Sequence, residues 1–267
     1  MKLLFSESKA DYDHYVFPYA IWAFPERGET PADLFKQGFL PSSRDLDRFY
    51  LCRQVRIDLR KYSPSSENRR ILRKGQGIAG TLIERSEFDY TPKRREFYKT
   101  YADIKFGKDV MPYERLDALF QSKITSHVMV YTDEKSSDEI GTVTLLLQEP
   151  ELAYYYYAFY DLNYYSRNLG MFMMTACVGF FAELGFRYLY LGSCYLPTAL
   201  YKTQFKGAEF FNGTGWSGDL EELKFLVKRG KKEWREHLLE NEEYRKEFCL
   251  QEPSEMAVKS PFRVDLK

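Results

Sequence analysis

The clearest hydrophobic pattern lies in the second half of the chain. His127 to Tyr131 (HVMVY), Ile140 to Gln148 (IGTVTLLLQ) and Leu152 to Tyr160 (LAYYYYAFY) are short runs of β-branched, aliphatic and aromatic residues with polar flanks, which predicts three strands. The polar stretch Thr132 to Glu139 predicts a hairpin loop between the first two. Met171 to Leu184 is apolar on nearly every side, which predicts a buried helix, and Gly185 supplies the residue that ends it. Arg187 to Leu191 (RYLYL) predicts a further strand, Leu200 to Phe205 a helical turn and Glu209 to Phe211 a last strand. Asp219 to Leu250 reads as mostly helical, with charge on one side, and the final residues as a loose tail. Upstream, VRIDL (Val55 to Leu59) predicts a short strand. The turn Ser63 to Glu67 offers Ser65 or Ser66 as the cap of a following helix. Pro92 to Gln121 has helical spacing, broken near Gly107 and Pro112.

The order strand, strand, strand, loop, helix, strand predicts an α+β fold: a mixed, mostly antiparallel sheet with a crossover helix. The expected organisation is a smaller N-terminal domain with a basic segment (1–75), a linker and helical segment (76–125), a C-terminal sheet domain (126–235), and a helical extension and tail (236–267). Gly75, Gly77 and Gly80 spell G-x-G-x-x-G. A dinucleotide fingerprint needs a strand before it and a helix after it, and here a basic helix comes first, so a linker or turn is expected.

Composition narrows the class. The chain has 267 residues, 44% hydrophobic and 17% aromatic, which excludes disorder as its main state. No apolar run is long enough to span a bilayer, and the opening MKLLFSESKADYD lacks the pattern of a secretory signal. Cys52, Cys177, Cys194 and Cys249 stand isolated, so reduced thiols and a cytoplasmic location are expected. Formal net charge is zero, yet Arg44 to Lys108 carries 17 Lys and Arg against 9 Asp and Glu, a local net of +8. Within it, Arg69, Arg70, Arg73 and Lys74 fall within a turn and a half of helix. Such a surface can bind phosphates, or it can be a solvated basic face. His14, His127 and His237 are scattered, and no Ser-His-Asp or Cys-His arrangement is visible.

The predicted strand–loop–helix–strand unit resembles the acetyltransferase-like (GNAT) fold. There the loop and helix N-terminus form an anion site. Arg167-Asn168-Leu169-Gly170 partly matches the R-x-x-G-x-G/A loop that holds coenzyme A, with Phe172 where a small residue would stand and where its ring would crowd a pyrophosphate.

Longer stretches carry a more specific resemblance. Phe159-Tyr160-Asp161 is similar to a FYDP motif, Ser166 to Phe172 to an S-L-G-x-F turn, Tyr188 to Gly192 to YxYLGY, and Tyr201-Lys202 with Phe205 and Glu209 to Y-K-x-x-F-x-P-x-E. Val55-Arg56-Ile57-Asp58, Tyr62 and Ser65 to Lys74 are similar to RIDV-x-x-F-x-x-S-x-x-x-R-R-x-L-R-R. Together, over roughly Gly38 to Trp216, they resemble the aminoacyl-tRNA–protein transferases, the arginyl- and leucyl-transferases of the N-degron pathway. Leu162 and Gly207 stand where that family has proline, and Ser193 where it has the last tyrosine of YLGY. The family's N-terminal cysteines are absent apart from Cys52, with Phe49 at the other C-x-x-C position and Tyr19 to Trp22 at the first motif. No metal or haem held by them is therefore expected.

The resemblance implies transfer of an amino acid, Arg or Leu, from charged tRNA to the N-terminal amine of a protein that begins with Asp or Glu. Aminoacyl-tRNA is the co-substrate, no other cofactor is needed, and no membrane is involved. On that basis Arg69, Arg70, Arg73 and Lys74 are expected to hold tRNA phosphates. Ser166, Arg167 and Gly170 are expected to bind the terminal adenosine or an acidic acceptor group. Lys202 is a second candidate for the acidic group, Asp161 for orienting or deprotonating the amine, and Tyr160, Tyr190 and Tyr195 for stacking or hydrogen bonding. Tyr201, Phe205 and Glu209 complete the expected substrate site. Each has a plainer alternative: core packing for Tyr160 and Tyr190, a loop cap for Asp161, a surface lysine for Lys202. Two other functions stay open on the same fold: an acetyl-CoA-dependent acyltransferase, and a binding protein that has lost catalysis.

Overall fold

The computed structural model describes residues 1–230, 236–248, 257–258 and 260. In chain order the elements are β1 (Lys2–Glu7), β2 (Tyr19–Phe24), α1 (Pro31–Lys36), β3 (Phe39–Pro41), β4 (Phe49–Leu51), β5 (Gln54–Asp58), α2 (Ser66–Lys74), β6 (Ile78–Glu84), α3 (Pro92–Phe106), α4 (Tyr113–Gln121), β7 (His127–Asp133), β8 (Glu139–Gln148) and β9 (Leu152–Tyr160). There follow α5 (Leu169–Glu183), β10 (Tyr188–Ser193), β11 (Ala208–Phe211), β12 (Trp216–Ser217), α6 (Leu220–Arg229) and α7 (Glu242–Phe248). Short 3-10 helices precede α5 (Leu162–Arg167) and follow β10 (Pro197–Thr203).

Two sheets result. The larger runs β12-β11-β5-β10-β9-β8-β7-β6 and the smaller β1-β2-β4-β3. Within the larger, β9 and β10 pair in parallel through the α5 crossover, and every other pairing is antiparallel. This is the expected mixed, mostly antiparallel α+β fold. The expected domain boundaries do not follow the sheet. β5 lies before residue 75 and β6 before residue 125, yet both belong to the same sheet as β7 to β10.

The linker expected after Gly75 is in its second half a strand: β6 pairs with β7 from Ile78↔Asp133 to Glu84↔His127. As an edge strand it buries little, and Gly80 and Thr81 in its middle break the hydrophobic run that would announce it. Gly75 serves packing. A Cβ there would fall 2.0 Å from Cδ2 of Phe172, so α5 presses its Phe172 ring onto the end of α2. Phe172 is thus buried in the core, edge-on to Tyr131 at 6.0 Å, and does not crowd the α5 N-terminus as the sequence led us to expect.

Capping explains the helix starts. Ser65 accepts from the Asn68 N–H and Asn68 returns a bond to Ser65, so α2 begins where the sequence predicts. Thr91 caps α3, with Pro92 in its first turn, and Asp219 caps α6. Helices α2, α5 and α6 cover one face of the large sheet. The small sheet and α1 cover part of the other face, and α3 and α4 the rest. Both faces are buried, so Tyr154, Tyr155 and Phe159 of β9 all lie in the interior. The helix expected over Asp219 to Leu250 is seen as α6 and α7, and residues 231–235, 249 and 250 of it, Cys249 included, with all of the tail beyond except 257, 258 and 260, lie outside the described residues.

Candidate functional site

The site begins where two paired strands part. β9 and β10 pair at Leu152↔Tyr188, Ala153↔Leu189 and Tyr154↔Tyr190, and then separate. Each keeps its other neighbour. β9 stays with β8 to Tyr160, and β10 stays with β5 to Ser193. Both strands carry a one-residue bulge at the parting: Tyr156 on β9 and Leu191 on β10 have no partner opposite. A bulge bends its strand and increases local twist, which drives the two apart. The result is a cleft of about 520 Å³ between the strands.

Three features give the cleft its chemistry. The first is the N-terminus of α5. Asn168 is left-handed (φ 54°), no side chain caps the helix, and its first turn holds no acidic residue. The backbone N–H groups of Leu169, Gly170 and Met171 therefore begin the helix at the cleft wall. Gly170 is required by closeness: a Cβ there would lie 2.7 Å from the Tyr160 hydroxyl. The second is Lys202, which reaches the cleft from the 3-10 helix Pro197–Thr203. Its ammonium donates to the Ser193 carbonyl at 2.9 Å and meets no carboxylate among the described residues. Burial pulls its pKa down, partly offset by Cys194 and Cys52. The third is a wall of tyrosines. Tyr160 packs against Tyr101 at 4.8 Å, and burial raises the pKa of both Tyr101 and Tyr201. These hydroxyls therefore stay protonated and can donate hydrogen bonds. No Asp or Glu among the described residues lines the cleft.

Of the residues expected from sequence, the cleft gathers Tyr160, Gly170, Tyr201 and Lys202. The others are placed elsewhere. The Asp161 carboxylate accepts from the Asn163 N–H at 2.8 Å and caps the 3-10 helix Leu162–Arg167, the plainer of its two roles. Arg167 is fully engaged: it pairs with Asp133 at 2.9 Å and donates to the carbonyls of Lys74 and Gln76, tying the end of α2 to the loop before α5. Ser166 is exposed beside it, its carbonyl accepting from Lys74 at 3.4 Å. Tyr190 points to the opposite face, buried among Phe35 and Trp216 and receiving a bond from Arg56. Tyr195 accepts from the Arg53 N–H and stacks under its guanidinium. Phe205 is core. Glu209 accepts from Arg56 and Lys61. Burial works to raise its pKa, but those bonds outweigh it and hold the carboxyl below its usual range.

The basic helix α2 does present Arg69, Arg70, Arg73 and Lys74 on its exposed side, with Arg70 paired to Glu67. The cleft also contains residues that the sequence did not mark: Tyr101, Lys105 and Phe106 from the end of α3, and Tyr165 from the loop. A charged helix such as α3 gives no spacing signal for its last turn, and only the fold brings it to β9. No group of three His, Cys, Asp or Glu among the described residues could hold a metal, and Cys52, Cys177 and Cys194 are buried free thiols. No helix among the described residues is long and apolar enough to cross a membrane.

No family model matches the chain. Among solved structures it is similar to L-PGS from Bacillus licheniformis (TM-score 0.41, 12% identity, 53% of this chain and 44% of that one). It is also similar to a GCN5-related N-acetyltransferase from Sphaerobacter thermophilus (TM-score 0.35, 12% identity, 72% of this chain and 57% of that one). The chain thus spans about half the length of these structures. Sequence relatives extend further. An aspartate/glutamate leucyltransferase from Dinoroseobacter shibae is 26% identical over 220 residues, 73% of this chain and 75% of the relative. Proteins of the same name from Saccharophagus degradans and Methylorubrum populi are each 25% identical, over 187 and 179 residues, covering 62% of this chain and 70% and 71% of theirs. The motifs and these relatives agree: the chain is similar in sequence to proteins named aspartate/glutamate leucyltransferase, which are aminoacyl-tRNA–protein transferases.

Proposed function

We propose that the chain moves an apolar amino acid, leucine rather than arginine, from charged tRNA to the N-terminal amine of a protein that begins with Asp or Glu. The observation that carries this reading is the cleft itself: two lysines, Lys105 and Lys202, without a carboxylate partner among the described residues, a helix N-terminus, and no acidic residue among the described residues of its lining. An arginyl donor would place a guanidinium there with nothing to neutralise it, whereas Leu169, Met171, Met174, Leu191 and the tyrosine rings suit a leucyl side chain. Lys202 suits the acceptor's acidic side chain, and its lack of a carboxylate partner leaves that bond to be made with substrate.

The chemistry needs little from the protein. The acceptor α-amine has a pKa of ~7.7–8, so a useful fraction is neutral near pH 7. Its nitrogen attacks the ester carbonyl. The C–N bond forms, the bond from carbonyl carbon to ribose oxygen breaks, and the proton lost by nitrogen ends on that ribose oxygen. Positioning supplies most of the rate, and donors at the α5 N-terminus or the Tyr160 and Tyr201 hydroxyls suit the developing oxyanion. Arg69, Arg70, Arg73 and Lys74 suit phosphates of the tRNA body. The donor places the reaction in the cytoplasm, where charged tRNA is made and used.

The test is a transfer assay with tRNA charged with labelled Leu or Arg, peptides starting with Asp, Glu or Ala, and acetyl-CoA as a parallel donor. The expected result is label moving from leucyl-tRNA to the Asp and Glu peptides only. Transfer from arginyl-tRNA alone reverses the donor assignment. Acetyl transfer with none from tRNA removes the reading.

A further inference from the structure

Arg167 sits in the loop that leads into α5. Tyr165 and Asn168 on either side of it line the cleft, as do Leu169, Gly170 and Met171 beyond, but Arg167 itself does not. Each of its three guanidinium nitrogens is bonded to a different residue away from the cleft. Nε donates to the Lys74 carbonyl at 3.2 Å, Nη2 to the Gln76 carbonyl at 2.6 Å, and Nη1 to Oδ2 of Asp133 at 2.9 Å. The planar fork of arginine suits acceptors in three directions, whereas lysine offers one compact nitrogen. Asp133, at the end of β7, is itself held in place. Its Oδ1 accepts from the Lys135 N–H at 3.0 Å, and its Oδ2 also accepts from the Tyr164 hydroxyl at 3.1 Å. Lys74 returns a bond to the loop, its ammonium donating to the Ser166 carbonyl at 3.4 Å.

A second contact joins the same two elements. Phe172, in the first turn of α5, presses its ring onto Gly75 at the end of α2, where a Cβ would fall 2.0 Å from it. Arg167 and Phe172 thus anchor the chain to α2 on both sides of residues 168–171, the stretch that brings the α5 N-terminus to the cleft wall. The helix does not anchor itself there, since Asn168 is left-handed and no side chain caps it.

We infer that Arg167, held by Asp133, is a positioning residue that fixes the α5 N-terminus in the cleft by tying it to the end of α2. The inference rests on the transferase reading for the reaction that this turn serves. It gives Arg167 a task different from that of an anion-binding arginine. Every nitrogen of its guanidinium is already engaged, so it acts on transfer through the placing of the N–H groups of residues 169–171. The joint also links the basic face of α2 to the cleft, because Lys74 belongs to both.

The experiment compares the wild type with Arg167→Met, Arg167→Lys, Asp133→Asn, the double variant Arg167→Met/Asp133→Asn, and Arg187→Met. The last is the control. It breaks a similarly exposed pair, with Asp58 at 3.0 Å, beside the end of β10 far from the cleft. Transfer kinetics are measured with both substrates. Amide exchange is followed by NMR at Asn168 and Phe172, whose N–H groups donate to the Tyr165 and Asn168 carbonyls at 2.9 and 3.0 Å. Arg167→Met is expected to lower kcat about 30-fold, within the hundredfold that a misplacement of about 1 Å can cost, with both KM values within about twofold of wild type. Its two amides are expected to exchange about tenfold faster. Arg167→Lys keeps the charge but not the fork, so it falls nearly as far. Asp133→Asn falls less, and the double variant no further than Arg167→Met alone. Arg187→Met lowers the melting temperature and leaves kcat unchanged.

A raised KM for charged tRNA with kcat intact, restored by Arg167→Lys, overturns the inference, because Arg167 would then bind a phosphate directly. An equal loss of kcat in Arg187→Met also overturns it, since general weakening would explain both. Where the wild type transfers from no charged tRNA, the transferase reading falls and exchange decides the joint. Faster exchange at Asn168 and Phe172 in Arg167→Met sustains it, and unaltered exchange overturns it. Unaltered exchange and kcat in Arg167→Met, beside an active wild type, overturn the inference and leave the transferase reading standing.

Discussion

Arg56 and Lys202 both reach β10, through the Tyr190 hydroxyl and the Ser193 carbonyl, and their surroundings differ completely. Arg56 is 7% exposed. It donates to Glu209 through two nitrogens, at 3.0 and 2.9 Å, and lies over the rings of Tyr188 and Trp216 at 3.9 and 3.8 Å. Glu209 is completed by Lys61. Nothing in that cluster is left for a ligand. Lys202 has one backbone carbonyl and a wall of tyrosines. The sequence marked both sides as candidate chemistry, since Glu209, Tyr190 and Lys202 sit in equally conspicuous motifs. What separates them is satisfaction. On the paired side of the sheet charge is spent on holding strands together, and on the side where the strands part it remains available.

The largest effect expected from this contrast is on stability. Glu209→Ala leaves Arg56 buried without its carboxylate, and breaking a buried pair in this way costs about 3–5 kcal/mol. Urea denaturation should show that loss, while the surviving folded protein should transfer at close to the wild-type rate. An unchanged midpoint would mean that Arg56 finds water or another partner, and the contrast would lose its closed side.

Lys202→Met should do the opposite. Transfer to an Asp-starting peptide is expected to fall about 100-fold in kcat/KM, the ~2.7 kcal/mol typical of a lost charge-assisted bond. The fold should not weaken. The folded pKa of Lys202 lies below the ordinary lysine value, so the native state holds fewer protons than the unfolded one at pH values between the two. Wild-type stability therefore rises with pH through that window, and Lys202→Met should abolish the rise. A melting series from pH 7 to pH 10 checks the sign. Equal slopes in the two proteins would remove the claim that burial depresses this lysine.

Much of this architecture is legible in the sequence because it is local. The runs HVMVY, IGTVTLLLQ and LAYYYYAFY are β7, β8 and β9 almost to the residue, and the Ser65 cap and Gly107 break fall where their chemistry requires. Where legibility failed, the deciding fact was non-local. β6 is an edge strand without a hydrophobic run. The side to which Tyr190 points depends on the β5–β10 register, and the bulge at Leu191 alters that register without leaving a sequence mark. Arg167 occupies the position of an anion-binding arginine, yet Asp133 and two carbonyls arrive from elements 34 to 93 residues away and occupy it. Lys105 and Phe106 enter the cleft only because α3 packs across β9. Motifs thus located the site to within a strand, and three-dimensional satisfaction decided which of their side chains are free.

Gly170→Ala tests the open side more gently. The added Cβ would lie 2.7 Å from the Tyr160 hydroxyl, so the ring must tilt away from the α5 N-terminus. Transfer is expected to fall about tenfold, ~1.4 kcal/mol in the barrier, because a displaced wall loosens the geometry on which positioning depends. Stability should change less, since the better helix propensity of alanine offsets part of the overpacking. Gly170→Ser would sharpen the result. A clash with the Tyr160 ring predicts a larger loss for serine than for alanine, whereas an equal loss would place the effect in the backbone freedom of glycine.

The smallest effect is expected at Tyr190, the residue that divides the two sides most finely. Its backbone is the last to pair with β9 before the strands part, at Tyr154, but its ring belongs to the closed side with Phe35 and Trp216. Its hydroxyl receives one long bond from Arg56, at 3.4 Å, and Glu209 already satisfies that guanidinium. Tyr190→Phe should therefore cost only about 0.5 kcal/mol, the low end for a lost hydrogen bond. Transfer kinetics should be unchanged with either substrate. A loss of transfer with an unaltered melting temperature would place this hydroxyl in contact with substrate, and the boundary between the satisfied and the available side would then have to move one residue back along β10.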